Sequence, residues 1–234
     1  MIQLAGVAKR YPHGVEALRD VSLFVAEGEF AFLSGRSGAG KTTLLGLLAG
    51  DLAPTAGQLT VAGRVMATLT RAQRPQLRRR IGRLWQDVRL LPHATVRANV
   101  LLPLAILGVT GRPARERAMR TLELVGMDRY ADSYPSWLST AEQQRVGIAR
   151  AIIHEPSILL CDEPTGNLDP ESAHSIAQML LDMRRARGMT VLFATHDHHL
   201  IARFHERVIL LNKGFLIEDS RASRASRDPR EGSA

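Results

Sequence analysis

Gly35-Arg36-Ser37-Gly38-Ala39-Gly40-Lys41-Thr42 fits the pattern G-x-x-x-x-G-K-[ST] without a mismatch. In such a loop the glycines let the backbone wrap closely around phosphates, and the backbone N–H groups and following helix N-terminus supply positive potential. Lys41 would reach the outer phosphates and Thr42 would bind Mg²⁺. An ordinary glycine-rich turn is the bland alternative, but the nearly all-apolar "FAFLS" before the loop and the helix-like "TTLLGLLAGDL" after it argue against that. A second run, "SILLCDEPTGNLD", ends an apolar stretch with Asp162 and Glu163. At a strand end these would sit beside Mg²⁺ and next to the outer phosphate, where a carboxylate can polarise an attacking water. His196 closes the apolar run of "FATHD" and could hydrogen-bond the terminal phosphate or its water. A lone histidine is more often structural, yet ligands of open α/β sheets gather at strand ends.

These residues need elements to hold them. "IQLAGVAKRY" and "VSLFVAEGEFAFLSG" predict short strands, with a turn at Glu27, Gly28 and Glu29. Alternation in the first run predicts an edge or half-buried strand, whereas "FAFLS" suits a strand covered on both faces. Between about 86 and 156 the texture is helical: "RPARERAMRTLELVGM" is amphipathic, and "AEQQRVGIARAIIHEP" predicts a helix running to Pro156. Then come the strand "SILLCDEP", a helix over about 171–187, the strand "MTVLFATHD" and a hairpin in "RVILLNKGFLIED" turning near Lys213 and Gly214. Strands alternating with helices predict an α/β fold with a mainly parallel sheet. From 220 onward "SRASRASRDPREGSA" holds almost no apolar residue and predicts a disordered basic tail.

Composition narrows the class. The 234 residues suit one compact domain, and 45% hydrophobic with 23% charged residues is ordinary globular usage. The longest apolar run, "VLLPLAILGV", is interrupted by Pro103 and reaches about half of the roughly 20 residues a membrane span requires. The N-terminal "MIQLAGVAKRYPHG" shows no pattern of a secretory leader. Cys161, the single cysteine, lies in an apolar run and reads as a buried hydrophobe without a chemical role. A net charge of +8 is compatible with nucleic acid, anionic lipid or nucleotide partners, but "RAQRPQLRRR" and the tail carry much of it and read as solvated surface.

The loop at 35–42, Gln86 in "LWQDVRLL", "LSTAEQQRV", "ILLCDEP", "GNLD" and "ATHD" occur in the order and approximate spacing of the ATP-binding-cassette (ABC) ATPases. The chain resembles that family over about residues 1–219. The resemblance implies an α/β P-loop NTPase fold of the ABC nucleotide-binding type, with a β subdomain, a mainly parallel core sheet and a helical subdomain at about 86–156. It also implies roles. Tyr11 would stack on adenine; Gly35, Arg36, Ser37, Gly38, Ala39, Gly40, Lys41, Thr42 and Thr43 would hold the ATP phosphates. Thr42, Gln86 and Asp162 would serve Mg²⁺, Glu163 would be the catalytic carboxylate and His196 would grip the γ-phosphate. Gln86 would also meet the lytic water and report to a membrane partner. Asp169 would act across a dimer, and Ser139 and its neighbours would cap the ATP held by another subunit. One phosphate loop and one signature per chain imply a head-to-tail homodimer with two ATP molecules.

"WQDVRLLPHATVRANV", "EQQRVGIARAI" and "DEPTGNLDP" are most similar to the family's cell-division branch. That implies an integral membrane partner, a peripheral position on the cytoplasmic face of the inner membrane, control of septal cell-wall hydrolysis and no nucleic-acid partner. The alternatives are the ATPase of an exporter or lipoprotein-release system, or a weakly hydrolysing nucleotide-gated scaffold. A DNA-repair cassette is suggested by charge alone. The scaffold is motivated by "LSTAE", where the family's usual Leu-Ser-Gly-Gly holds Thr140 and Ala141 in place of the two glycines. Ser139 followed by Glu142 still predicts a capping box at the start of a helix. Crowding by the added Cβ atoms then predicts a slower ATPase with a weakened closed dimer.

Overall fold

A computed structural model describes residues 1–221. Strands Ile2–Arg10 (β1), Glu16–Val25 (β2) and Phe30–Ser34 (β3) lead into helix Lys41–Leu48 (α1). Strands Ala56–Val61 (β4) and Arg64–Val65 (β5), helix Arg74–Arg78 (α2) and strand Ile81–Leu84 (β6) follow. Helices Val96–Ile106 (α3), Gly111–Leu124 (α4) and Thr140–Ile152 (α5) form the helical region, and strand Ile158–Asp162 (β7) returns to the sheet. Helix Pro170–Arg187 (α6), strand Thr190–Thr195 (β8), helix His198–Ala202 (α7) and strands Arg207–Asn212 (β9) and Phe215–Asp219 (β10) complete the order.

Six strands form one sheet in the order β10-β9-β3-β8-β7-β6, in which all neighbours are parallel except the β9–β10 hairpin. The sheet divides two cores by its two-residue period. Phe30, Phe32, Cys161, Val191 and Phe193 point into a core shared with α3 to α6. Their neighbours Ala31, Leu33, Leu160, Leu192 and Ala194 pack with α1 and the second, antiparallel sheet of order β2-β1-β4-β5. On the helical side Phe32 meets Phe30 and Phe193 edge-on, with ring centroids 5.1 and 5.4 Å apart, a geometry that aromatic quadrupoles favour.

Three expectations change at the level of elements. β1 is half-buried as its alternation predicts, but it is an inner strand paired with β2 and β4; period-two patterning reports which face is covered, not how many partners a strand has. α5 stops at Ile152 rather than at Pro156, since Glu155 adopts φ 55° and a residue before proline is steered away from helical backbone. Ser220 and Arg221, placed in the expected tail, are engaged: Ser220 Oγ accepts from Val208 N–H at 2.9 Å, and Arg221 lies 3.3 Å from Glu29. The remainder of the expected tail, 222–234, lies outside the described residues. The hairpin turn falls at Lys213 and Gly214, both at positive φ, as a tight two-residue connection requires.

Parallel register explains why distant motifs meet. Ser34 is level with Thr195 and Asp162 with Ala194, so the carboxyl ends of β3, β7 and β8 lie side by side. The loops that follow them open on the same edge of the sheet. Leu84 is level with Cys161, so the segment after β6 joins them.

Candidate functional site

The loop after β3 wraps tightly before α1. Gly40 sits at φ 109°, and a Cβ there would lie 2.5 Å from the Ala17 carbonyl oxygen, so both conformation and space require glycine. Lys41 is only 4% exposed. Its Nζ donates to the carbonyls of Gly35 at 2.6 Å and Arg36 at 3.3 Å, and lies 3.2 Å from Glu163 Oε1. A buried ammonium must be paired to be tolerated, and here the loop backbone and one carboxylate do it.

Glu163, the first residue past β7, has φ 46°, a left-handed conformation that non-glycine residues adopt at an energetic cost and that collects at functional sites. This turns the side chain into the cleft, where Oε2 lies 2.9 Å from His196 Nδ1. Asp162, one residue earlier, is 5% exposed and accepts from Thr42 Oγ1 at 3.2 Å. Burial pushes its carboxyl above the usual range and the charge of Glu163 adds to this; the Thr42 hydroxyl, Arg83 and Lys41 pull the other way. A desolvated carboxylate beside a threonine hydroxyl, with the Gln86 amide at the cleft wall, is a hard-oxygen donor set that fits Mg²⁺ completed by phosphate and water.

Tyr11, Arg36 to Thr43, Gln86, Glu163 and His196 line one cleft of about 780 Å³, and Tyr11 Oη sits 3.2 Å from Thr43 Oγ1. Gly35 and Asp162 stand just behind its wall, joined to it through Lys41 and Thr42. Ser139 and Asp169 are elsewhere. Asp169 caps α6, its Oδ1 accepting from the N–H groups of Glu171 at 3.1 Å and Ser172 at 2.9 Å, and these bonds depress its pKa. Ser139 caps α5 in the predicted capping box. Its Oγ donates to Glu142 Oε2 at 2.7 Å and accepts from Glu142 N–H at 3.3 Å, while its own N–H donates to Glu142 Oε2 at 2.8 Å. Thr140 and Ala141 are the first two helical residues at ordinary negative φ, and their N–H groups belong to the set with no intrahelical acceptor. Thr140 faces a smaller cleft of about 270 Å³ that Gln86 and Glu163 also border.

Several residues around the site are not legible as site residues in the sequence. His198 lines the main cleft; its only signal is the repeat of histidines in "HDHH". Arg83 on β6 pairs with Asp51 and stacks 3.2 Å from the Trp85 ring centre; burial lowers its pKa to about 10, with Asp162 opposing the shift. Arg150, half-buried on α5, donates to the carbonyls of Val88 and Arg89. Gly147 lets Val88 approach, since a Cβ there would fall 2.4 Å from Val88 Cγ1. Buried Asn99 holds Leu91 through both its N–H and its carbonyl. The segment carrying Gln86 is therefore clamped between the sheet and the helical region.

Comparison with known proteins gives a consistent picture. The family model for "ABC transporter" matches residues 18–166. The cell division ATP-binding protein FtsE of Escherichia coli (strain K12) is 44% identical over 216 residues, covering 92% of this chain and 97% of that protein. FtsE of Streptococcus pneumoniae serotype 2 is 40% identical over 219 residues, covering 94% and 95%. Among solved structures, an ATP-binding cassette captured as a dimer in a post-hydrolysis state with ADP and Pi is 36% identical with a TM-score of 0.85, covering 94% of this chain and 97% of its own.

Proposed function

The chain belongs to the ABC transporter family, and from that membership we propose that it is the ATP-hydrolysing subunit of a cell-division complex of the FtsEX type. Its ATP-driven motion would act on an integral membrane partner of the FtsX type and, through it, on septal cell-wall hydrolysis. ATP binding and hydrolysis are the chemistry of this family. The observation that carries the reading is the convergence of Lys41, Glu163, Asp162 and Thr42, with Lys41 Nζ 3.2 Å from Glu163 and Thr42 Oγ1 3.2 Å from Asp162.

In the proposed reaction the P-loop N–H groups and the N-terminus of α1 take the phosphates, and Lys41 turns from Glu163 toward the outer phosphate oxygens. Glu163, held by His196, then polarises the attacking water. Thr42, Asp162 and Gln86 would hold Mg²⁺, which when bound neutralises charge on the phosphate oxygens. Tyr11, which lines the same cleft, would offer its ring to adenine. Ser139 and Asp169 lie outside the cleft of their own chain and are assigned to the nucleotide site of a second, head-to-tail copy.

No described helix is long and apolar enough to cross a membrane; the similarity to FtsE proteins supports a position on the cytoplasmic face of the inner membrane through this partner. Affinity capture of the tagged full chain from membranes, with identification of the integral protein retained, tests this. Recovery of an FtsX-type protein is expected; recovery of a solute-translocating subunit instead would establish the exporter reading. Thr140 and Ala141 at the head of α5 favour a second reading, a nucleotide-gated scaffold that barely hydrolyses ATP. Turnover no faster than that of Glu163→Gln would select it.

A further inference from the structure

Trp137 is 72% exposed, the most exposed aromatic ring among the described residues. It packs edge-on against exposed Tyr134, with ring centroids 5.4 Å apart and planes at 77°. Tyr134 precedes and Trp137 closes the turn Pro135–Trp137, immediately before Leu138 and the cap Ser139. The other tryptophan, Trp85, is stacked beneath Arg83. A rigid aromatic pair left in water is what association surfaces supply: tryptophan and tyrosine give large contact area for little lost side-chain freedom and dominate binding energy when covered.

We propose that the Tyr134–Trp137 face docks against a second copy of this chain, flanking the Ser139 end of α5 and stabilising the ATP-bound dimer. The proposal rests on the functional reading above, which assigns Ser139 to the nucleotide site of the second copy. The face is continuous with that end: Trp137 is two residues from Ser139, and neither lines the cleft of its own chain. The similar cassette holding ADP and Pi is itself a dimer. A family resemblance expects two glycines where Thr140 and Ala141 stand, and the aromatic pair lies next to them, so its burial offsets the closer approach that the extra Cβ atoms prevent.

Full-length Glu163→Gln and Glu163→Gln/Trp137→Phe, compared by fluorescence with and without Mg²⁺-ATP, isolate Trp137 as the difference spectrum. On ATP addition the difference emission should move to shorter wavelength and its acrylamide quenching should fall about twofold or more, in step with dimer formation by sedimentation. Trp137→Ala in the same background should weaken ATP-driven dimerisation by about tenfold or more, with ATP binding to the single chain unchanged. A dimer that forms while Trp137 stays fully quenchable overturns this docking face and leaves the ATPase reading intact. No ATP-dependent dimer in Glu163→Gln overturns both. Protection of Trp137 by membranes without ATP assigns the face to the membrane partner and overturns the proposal.

Discussion

The cleft after β3 and the head of α5 are two candidate phosphate sites built in different ways. In the cleft, groups from three strand ends are locked together over long sequence separations: Lys41 to Glu163, Thr42 to Asp162, His196 to Glu163. At the head of α5 the bonds are local, between Ser139 and Glu142 and between Gln143 and Leu138. The first is complete within one chain, since each group already has the partner that aims it. The second presents free N–H groups and an aromatic pair outward, and becomes a site only against something else. Substitutions in the cleft should therefore abolish binding or chemistry, whereas those at the helix head should tune closure.

The largest effect that would sharpen this contrast is Glu163→Gln. Loss of the proton-accepting carboxylate should lower turnover by about 10²- to 10⁴-fold in a phosphate-release assay, with ATP binding retained and a trapped dimer on gel filtration. Dimers no more abundant than in the unmodified protein would count against the catalytic assignment. Lys41→Ala comes next. Losing a charged donor to the phosphates, at about 1.5–3 kcal/mol per hydrogen bond, should weaken ATP binding by about a hundredfold; unchanged affinity by calorimetry would remove the loop from the mechanism. Ser139→Ala should be smaller and thermodynamic, destabilising by about 1 kcal/mol and lowering Tm by about 2–4 °C.

That last variant has a pH signature. The Ser139 hydrogen bonds hold the Glu142 carboxyl below its ordinary pKa. A depressed folded-state value gives stability that is present above the unfolded pKa of about 4.3 and lost as pH falls through the folded one. The Tm gap between the unmodified protein and Ser139→Ala should therefore narrow below about pH 4. A constant gap down to pH 3 would mean that the cap acts without Glu142.

The cleft was largely legible in the sequence because its chemistry is written in contiguous runs, each attached to an apolar strand whose end is marked by the motif itself. The capping box was legible for the same reason, since its partners are three residues apart. What escaped is long-range. Arg83 and Arg150 look like two more basic residues in a chain of net charge +8, and nothing in the local pattern says that one is half-buried against Trp85 and the other holds the carbonyls after Gln86. Helix α2 also escaped, because the arginines around it mask Leu77, its one buried side chain, and the β4–β5 hairpin escaped because its strands are short and bury only Leu59 and Val61. The inner position of β1 depends on pairing with β4, which lies beyond the phosphate loop and α1.

On this reading one chain binds ATP in its own cleft, while closure against a second copy is slowed by two crowded positions at the head of α5. Turnover and ATP affinity of Thr140→Gly/Ala141→Gly, measured side by side with the unmodified protein, test it most directly. Turnover should rise several-fold, since a displaced donor should cost less than the about 2.7–4 kcal/mol of one lost outright, with the single-chain affinity for ATP unchanged. Turnover equal to or below that of the unmodified protein would contradict it.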